Sequence, residues 1–261
     1  MFSNIIEIII LSIVQGISEF LPISSSAHLN IVEIIFEFNS NSLMIDVSLH
    51  LGSLLAIVFY FRRELLDLRN NQKLLSLLII GSIPIVIAGY IISSTGLVNL
   101  LENNLKIIAW TTLIFGIILY LADKSKFDKK ISSNLNFKTI LYIGLFQILA
   151  LIPGVSRAGI TITAARLFRF NRFDSSKISF LLAIPALAGA SVLNLKDIIG
   201  QSFEINYLVF IAITLSFLFS YFTVKFFLDY INKFSLNVFV IYRIIISIIL
   251  FIIIYRNVIP S

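Results

Sequence analysis

An amide, a carboxylate and a run of hydroxyl groups interrupt an apolar stretch near the beginning of the chain. Gln15 and Glu19 are four residues apart, so their side chains share one face of a helix. A lone carboxylate is costly in hydrocarbon and suggests a function for Glu19, with a protonated or hydrogen-bonded structural glutamate as the alternative. Carboxylate and amide oxygens suit Mg²⁺ or Ca²⁺, so Gln15 and Glu19 are candidate metal ligands if phosphate oxygens complete the site.

Three consecutive serines and a histidine follow this pair: Ser24, Ser25, Ser26 and His28. One of the serines is expected to cap the helix that begins there. Ser25 and His28 are three residues apart and would share a helical face, where an imidazole can activate a hydroxyl as a nucleophile. Alternatively, His28 attacks phosphorus itself or acts as acid and base near neutral pH.

A second polar interruption, from Pro153 to Thr161, places an arginine at apolar depth. Arg157 stays charged and can bind phosphate through two parallel hydrogen bonds. Glycines such as Gly159 let backbone N–H groups approach an anion closely. A structural ion pair between Arg157 and Glu19 is the alternative, and it is compatible with phosphate binding.

Four other polar positions give weaker signals. Asp46 and His50 are one turn apart near the start of an apolar stretch, and they either line the site or cap the helix at the interface. Arg243 lies within the last apolar stretch and is expected to pair with a neighbour or to extend its charged end to the interface. Arg166 is expected to reach the cytoplasmic interface.

The composition identifies the kind of element that must position these groups. The chain has 261 residues, of which 58% are hydrophobic and only 13% charged. A soluble domain has about a quarter of its residues charged, so we expect a polytopic membrane protein with roughly six to eight segments of about 20 residues. The absence of cysteine excludes a disulfide framework and a thiolate metal site. The apolar N-terminus carries Glu7 and no basic region, so we interpret it as part of the fold, not a signal peptide.

Six apolar stretches are long enough to cross the hydrocarbon, and two more are interrupted. The interrupted stretches, 5–37 and 139–168, contain Pro22 and Pro153, and each half is too short to span. Because such breaks are tolerated only in protein or along a wet cavity, we predict two re-entrant helical hairpins. The predicted spans are 46–61, 74–93, 107–122, 175–193, 206–229 and 237–256.

Loop charges give the orientation by the positive-inside rule. With the basic loops in the cytoplasm, the hairpins enter from opposite faces and both termini lie outside. This pattern predicts an all-α, single membrane domain over 1–261, with inverted-topology repeat halves of about 1–122 and 139–261 joined by a basic cytoplasmic loop. The repeat matches Pro22 and Ser25 to Pro153 and Ser156. The basic loops are 62–73, 123–138 and 166–177, with Lys225 and Lys233 at the last turn, and the opposite loops are 34–45, 94–106 and 194–205.

Both interruptions resemble motifs of the undecaprenyl-diphosphate phosphatase family, the UppP/BacA type. The resemblance covers essentially the whole chain and extends to Asp46–Gly52 and to the Tyr242-Arg243 pair. Gln15 stands where many members have a second carboxylate, which leaves less charge for a metal. The first motif runs Gln15-Gly-Ile-Ser-Glu19-Phe-Leu-Pro-Ile-Ser24-Ser25-Ser26-Ala27-His28, and the second Pro153-Gly-Val-Ser156-Arg157-Ala-Gly159.

The resemblance implies hydrolysis of undecaprenyl diphosphate outside a bacterial cytoplasmic membrane, with recycling of the lipid carrier of cell-wall synthesis and bacitracin resistance. It also implies a divalent cation, Mg²⁺ or Ca²⁺, and two interlocked inverted repeats. The expected partners are a prenyl diphosphate lipid and membrane lipids, with a homodimer left open and no nucleic acid.

Under this hypothesis Ser25 attacks the terminal phosphorus with His28 as its base, or His28 attacks directly. Glu19 binds the metal or orients the histidine, and Arg157 holds the diphosphate. A lipid-phosphate flippase or secondary transporter is the alternative, because inverted repeats with broken helices are typical of transporters. A passive structural protein does not account for two polar breaks. The remaining candidate phosphate ligands are Ser24, Ser26, Ser156, Gly159 and Thr161.

Overall fold

A computed structural model of the protein describes residues 2–36, 43–95, 104–125, 129–199 and 207–256. In these ranges the chain is helical, apart from turns and one isolated bridge between Lys129 and Phe170. The helices are α1 (Phe2–Ser18), α2 (Ser25–Phe36), α3 (Leu43–Tyr60), α4 (Arg62–Asp67), α5 (Gln72–Thr95), α6 (Leu105–Asp123), α7 (Ile131–Asn134), α8 (Phe137–Gln147), α9 (Arg157–Leu167), α10 (Arg172–Ile199), α11 (Tyr207–Ile231) and α12 (Asn237–Arg256). A 3₁₀ turn covers Ile148–Leu151.

Six of these helices, α3, α5, α6, α10, α11 and α12, are long and apolar enough to cross a membrane. This confirms the six predicted spans, with ends that differ by a few residues. Large apolar side chains such as Ile79, Phe210 and Ile248 point outward on these helices. An apolar surface of this extent suits lipid, whose chains are as apolar as leucine. The chain is therefore a multi-pass membrane protein.

The two interrupted stretches each form a pair of shorter helices. Helices α1 and α2 flank a first break (residues 19–24), and α8 and α9 flank a second break (residues 152–156). The two helices of each pair contact each other, so the chain turns back at both breaks. The predicted positions of the breaks are confirmed.

Close helix packing holds the breaks in the interior. α1 packs on α11, and α8 packs on α5. A Cβ atom added to Gly16 would lie 2.5 Å from Phe219 Cβ, and one added to Gly52 would lie 2.5 Å from the Ile213 carbonyl oxygen. Small residues thus let α1 and α3 approach α11 closely, as is usual between helices in lipid. Within the first break, the Phe20 ring meets the Phe180 ring edge to face, with centres 5.5 Å apart.

A buried ionic cluster joins the ends of α6, α9 and α10. Arg166 is fully buried and donates through Nε to Asp123 Oδ1 at 3.1 Å and through Nη2 to the Asp123 carbonyl at 2.8 Å. Arg172 Nε donates to the same Asp123 Oδ1 at 2.9 Å. The expectation that Arg166 reaches the interface is wrong, because its guanidinium satisfies buried acceptors at the helix ends.

Candidate active site

Both breaks end in a serine with the left-handed backbone conformation. Ser24 has φ 76° and Ser156 has φ 71°, and each directly precedes a half-helix, α2 or α9. Ser156 Oγ accepts a hydrogen bond from Gly159 N at 3.1 Å and so caps α9. In the repeat predicted from the sequence, Ser25 is the equivalent of Ser156. The backbone conformation instead makes Ser24 the equivalent of Ser156. Two buried glutamines then occupy equivalent positions in the repeat, since Gln15 and Gln147 each lie nine residues before the serine.

Glu19 lies at the centre of the site and links the two breaks. Its Oε1 forms an ion pair with Arg157 Nη2 at 3.0 Å. Its Oε2 accepts from Ser25 Oγ at 2.8 Å and from Gln15 Nε2 at 3.1 Å. The carboxylate is nearly buried, with 5% of its side chain exposed. The structure thus contains the Arg157–Glu19 pair that the sequence offered as an alternative, and it brings Ser25 directly to that carboxylate.

Arg157 is held from several sides, and one of its donors has no partner in the described part of the chain. Its Nη1 donates to the Ser179 carbonyl at 3.3 Å, and its guanidinium lies 5.7 Å from the Phe20 ring centre. Its Nε is buried and has no hydrogen-bond partner among the described residues. The guanidinium is therefore fixed in place while it retains capacity to bind an anion.

His28 is not joined to Ser25 by a hydrogen bond in this structure. Its Nδ1 donates to the Ser24 carbonyl at 2.6 Å, so a neutral ring leaves Nε2 as an acceptor. Tyr242 donates to that Nε2 at 2.7 Å, and the two rings stack with centres 5.5 Å apart. In the structure the Ser25 hydroxyl contacts Glu19 and not His28, and the role of His28 as the base stays a prediction.

The other predicted phosphate ligands differ in their surroundings. Ser26 lines the cavity described below, whereas Thr161 is fully buried. The Thr161 hydroxyl lies 2.8 Å from the Arg157 carbonyl and 2.6 Å from Ser179 Oγ, inside the packing of α9 on α10. We therefore expect Thr161 to support the start of α9 and not to reach the substrate.

Arg243 is a site residue whose partners the sequence analysis missed. Its guanidinium is fully buried and donates Nη1 to Pro22 O at 3.2 Å and to Val155 O at 3.0 Å. It also donates Nη2 to Gly154 O at 2.9 Å. One side chain of α12 therefore holds both breaks together. The signal was available, because a permanent charge within a span needs partners and the broken backbone has carbonyls that need donors.

A cavity of about 1050 Å³ opens beside the first break. Ser26, Asp46 and His50 contribute to its lining, together with parts of α5 and α10. Gln15 Nε2 donates to His50 Nδ1 at 2.9 Å, and His50 Nδ1 lies 3.7 Å from Glu19 Oε2. Asp46 and His50 therefore line the site, which was one of the two expectations from the sequence.

The oxygen donors at Gln15 and Glu19 fit a hard divalent cation in part. Gln15 Oε1 is buried and has no hydrogen-bond partner in the described part of the chain. Gln15 meets the Glu19 carboxylate through Nε2, at 3.1 Å, and the amide and carboxylate oxygens of the two side chains are ligands of the kind that Mg²⁺ and Ca²⁺ prefer. Within the described ranges, no group of three or more His, Cys, Asp or Glu side chains is placed to hold a metal. A cation here would need phosphate oxygens to complete its coordination.

Comparison with known proteins gives consistent results. A family model described as "Bacitracin resistance protein BacA" matches residues 8–249. The chain is 97% identical over 256 residues to an undecaprenyl-diphosphatase of Pelagibacter ubique, covering 98% of this chain and 100% of that protein. It is 40% identical over 256 residues to an undecaprenyl-diphosphatase of Elusimicrobium minutum, covering 95% and 97% of the two chains. For an undecaprenyl-diphosphatase of Alteromonas mediterranea the identity is 37% over 257 residues, covering 92% and 95%.

Proposed function

The chain belongs to the family of bacitracin resistance protein BacA, and we propose that it is an undecaprenyl-diphosphatase that confers bacitracin resistance. The reaction splits undecaprenyl diphosphate and water into undecaprenyl phosphate and inorganic phosphate. The observation that carries this proposal is the set of contacts at Glu19. A hydroxyl nucleophile (Ser25), a carboxylate base and a fixed guanidinium (Arg157) meet there within hydrogen-bond distance.

The geometry supports a two-step transfer. Ser25 Oγ attacks the terminal phosphorus, its proton passes to Glu19 Oε2 at 2.8 Å, and the P–O bond to the prenyl phosphate breaks. Water then attacks the phosphoserine as the P–O bond to Ser25 breaks. The proton held by Glu19 returns to the departing Ser25 oxygen, and the phosphate leaves with both protons of the water. Arg157 binds the terminal phosphoryl oxygens and loses part of its pairing with Glu19 as that carboxylate becomes protonated. Phosphoryl transfer depends mainly on such positioning and charge stabilisation.

The role of His28 follows from its fixed orientation. Because Nδ1 is bound to Ser24 O, the Nε2 face is the one that can exchange a proton with a ligand or with Tyr242. His28 as the direct nucleophile remains the second version of this mechanism, and phosphohistidine would be its intermediate.

A bound Mg²⁺ or Ca²⁺ would neutralise charge on the diphosphate, with Gln15 Oε1 and Glu19 as its protein ligands. Support comes from the buried, unpartnered amide oxygen of Gln15. We expect a chelator to abolish phosphate release and either cation to restore it. Full activity after exhaustive chelation would contradict this part of the proposal.

The proposed topology is an inverted repeat with two re-entrant hairpins in one membrane domain. The equivalent breaks at Ser24 and Ser156 support it, and so does the packing of α1 on α11 and of α8 on α5. With the basic loops in the cytoplasm of a bacterium, the site and both termini face outward. The predicted outer loops 34–45, 94–106 and 194–205 and the chain ends lie partly or wholly outside the described residues.

The experiment is phosphate release from undecaprenyl diphosphate by the purified protein. We expect Ser25→Ala to abolish turnover and Ser82→Ala to keep it, because the buried Ser82 hydroxyl donates to the Leu78 carbonyl of its own helix. Rapid quenching should trap an acid-stable phosphoserine at 25. Trapping of acid-labile phosphohistidine at 28 would transfer the nucleophile role to His28. If the protein releases no phosphate but transports prenyl phosphate across liposome membranes, the proposal of an enzyme is wrong and the protein is a flippase.

A further inference from the structure

The cavity beside the first break continues away from the catalytic groups, between α5 and α10. On that side its lining is apolar or small, and includes Val86, Gly89, Ala186 and Gly189. Binding sites of roughly 300–1,000 Å³ enclose ligands of drug size. At about 1050 Å³ the cavity is larger than a diphosphate group needs. The α5–α10 side of the cavity, here called the groove, is therefore available to another part of a ligand.

Two glycines in the groove have no packing reason to be glycine. Among the described residues, a Cβ atom added to Gly89 would meet no heavy atom within 4 Å, and one added to Gly189 would meet only Val86 Cγ2, at 3.9 Å. By contrast, a Cβ on Gly16 or Gly52 would lie 2.5 Å from a neighbouring helix. A glycine inside a helix costs roughly 1 kcal/mol relative to alanine. Glycine at positions 89 and 189 therefore lowers helix stability and leaves space in the groove.

We propose that the groove binds the first isoprene units of the substrate and that Gly89 and Gly189 provide the width for this branched chain; this rests on the proposed function. The cavity reaches the catalytic groups, since it is lined by Ser26, the neighbour of Ser25, and by His50, whose Nδ1 lies 3.7 Å from Glu19 Oε2. Glu33 and Asp46 also line the cavity, so the apolar α5–α10 side is the part that suits a prenyl chain.

The groove acts by orientation more than by affinity. A prenyl chain that moves from lipid into an apolar groove gains little, because the bilayer is equally apolar. A chain held at its first units, however, fixes the direction in which the diphosphate enters, and such positioning strongly affects the rate of transfer. The groove should therefore select for the shape of the chain next to the diphosphate.

The absence of cysteine from the sequence allows a direct test by single-cysteine labelling. The variants are Gly89→Cys and Gly189→Cys in the groove, and Ile91→Cys as the control. Ile91 is on α5, 52% exposed, and does not line the cavity. Each protein in nanodiscs is labelled with a maleimide in the presence of a methylene-bridged farnesyl diphosphate analogue, which cannot be hydrolysed, or of inorganic pyrophosphate.

We expect the prenyl analogue to slow labelling of both groove cysteines at least fivefold and to leave Ile91→Cys unchanged. Inorganic pyrophosphate should protect none of the three. The inference is overturned if the prenyl analogue does not slow labelling of the groove cysteines, or if it slows labelling of Ile91→Cys equally. It is also overturned if only pyrophosphate slows labelling.

A kinetic comparison separates this inference from the proposed function. Gly189→Leu fills the groove without a penalty in helix propensity, and we expect kcat/KM for undecaprenyl diphosphate to fall at least tenfold. Ile91→Leu, a change on α5 outside the cavity, should stay within twofold of wild type. Wild-type protein that releases no phosphate would refute the function itself. Active wild type with an equally active Gly189→Leu variant would refute only the groove.

Discussion

Replacement of Glu19 by glutamine tests the centre of the proposed mechanism. The change keeps the shape of the side chain but removes its charge and its ability to accept the Ser25 proton. Loss of a positioned general base reduces turnover by about 10²–10⁴-fold. We therefore expect kcat of Glu19→Gln to fall by at least a factor of about 100, measured as phosphate release from undecaprenyl diphosphate.

The same change leaves Arg157 without its ion-pair partner, and this has a separate, measurable effect. Breaking a buried ion pair costs about 3–5 kcal/mol. Arg157 keeps 12% side-chain exposure and the Ser179 carbonyl, so we expect the lower end of this range. Inorganic pyrophosphate should compensate by binding the released guanidinium, so it should raise the thermal unfolding midpoint of Glu19→Gln more than that of wild type.

Glu64→Gln is the matched control, because Glu64 also forms a carboxylate–cation pair, with Lys177 at 3.2 Å. That pair is substantially exposed, with 42% of the Glu64 side chain accessible, and such pairs contribute about 0–1 kcal/mol. We expect wild-type kcat and nearly wild-type stability. The reasoning is refuted if Glu19→Gln keeps kcat within twofold of wild type, or if pyrophosphate stabilises both variants equally.

Three further variants address the residues around the site. Tyr242→Phe removes the donor to His28 Nε2 but keeps the ring stack. We expect a threefold to tenfold loss of kcat, which corresponds to the loss of one hydrogen bond of about 0.5–1.5 kcal/mol. An unchanged steady-state rate would contradict this expectation. Arg243→Met removes the donor from buried carbonyls of both breaks. Each carbonyl left without a donor costs about 1–3 kcal/mol of folding stability. We expect a much lower unfolding midpoint in detergent and, in the activity assay, loss of phosphate release. Asp123→Ala leaves Arg166 buried without this carboxylate and should lower the thermal unfolding midpoint. The kcat per folded molecule should stay near wild type, because Arg166 lies at the opposite end of α9 from Arg157.

The six spans and the two breaks were predictable because each depends on a local property of the sequence. Long runs of Ile, Leu and Phe mark the spans, and proline followed by serine marks the breaks. Arg157 and Glu19 were also predictable as site residues, since an isolated charge at apolar depth is costly and usually marks a functional site. Their ion pair was foreseen as an alternative because two opposite charges in one apolar interior are expected to meet.

The partners of Ser25, His28 and Arg243 could not be obtained from spacing. A three-residue interval places Ser25 and His28 on one helical face, but α2 begins at Ser25, and Ser24 in the left-handed conformation sets the direction in which the helix leaves the break. The His28 ring turns instead to Tyr242, 214 residues later in the chain. Arg243 binds backbone carbonyls; the two breaks indicate that such carbonyls need donors, but residue spacing does not show which side chain supplies them.

The bonds of Arg243 also set an order for the assembly of the protein during synthesis. Membrane proteins are made from the N-terminus, and both breaks enter the bilayer well before α12, the last helix of the described part of the chain. Until α12 inserts, the carbonyls of Pro22, Gly154 and Val155 lack the guanidinium that binds them. Neither break is fixed in its final form while the ribosome is still adding the last span. A partly synthesised chain would therefore hold Glu19, Ser25 and Arg157 while both breaks still lack this guanidinium, and insertion of α12 supplies it together with Tyr242.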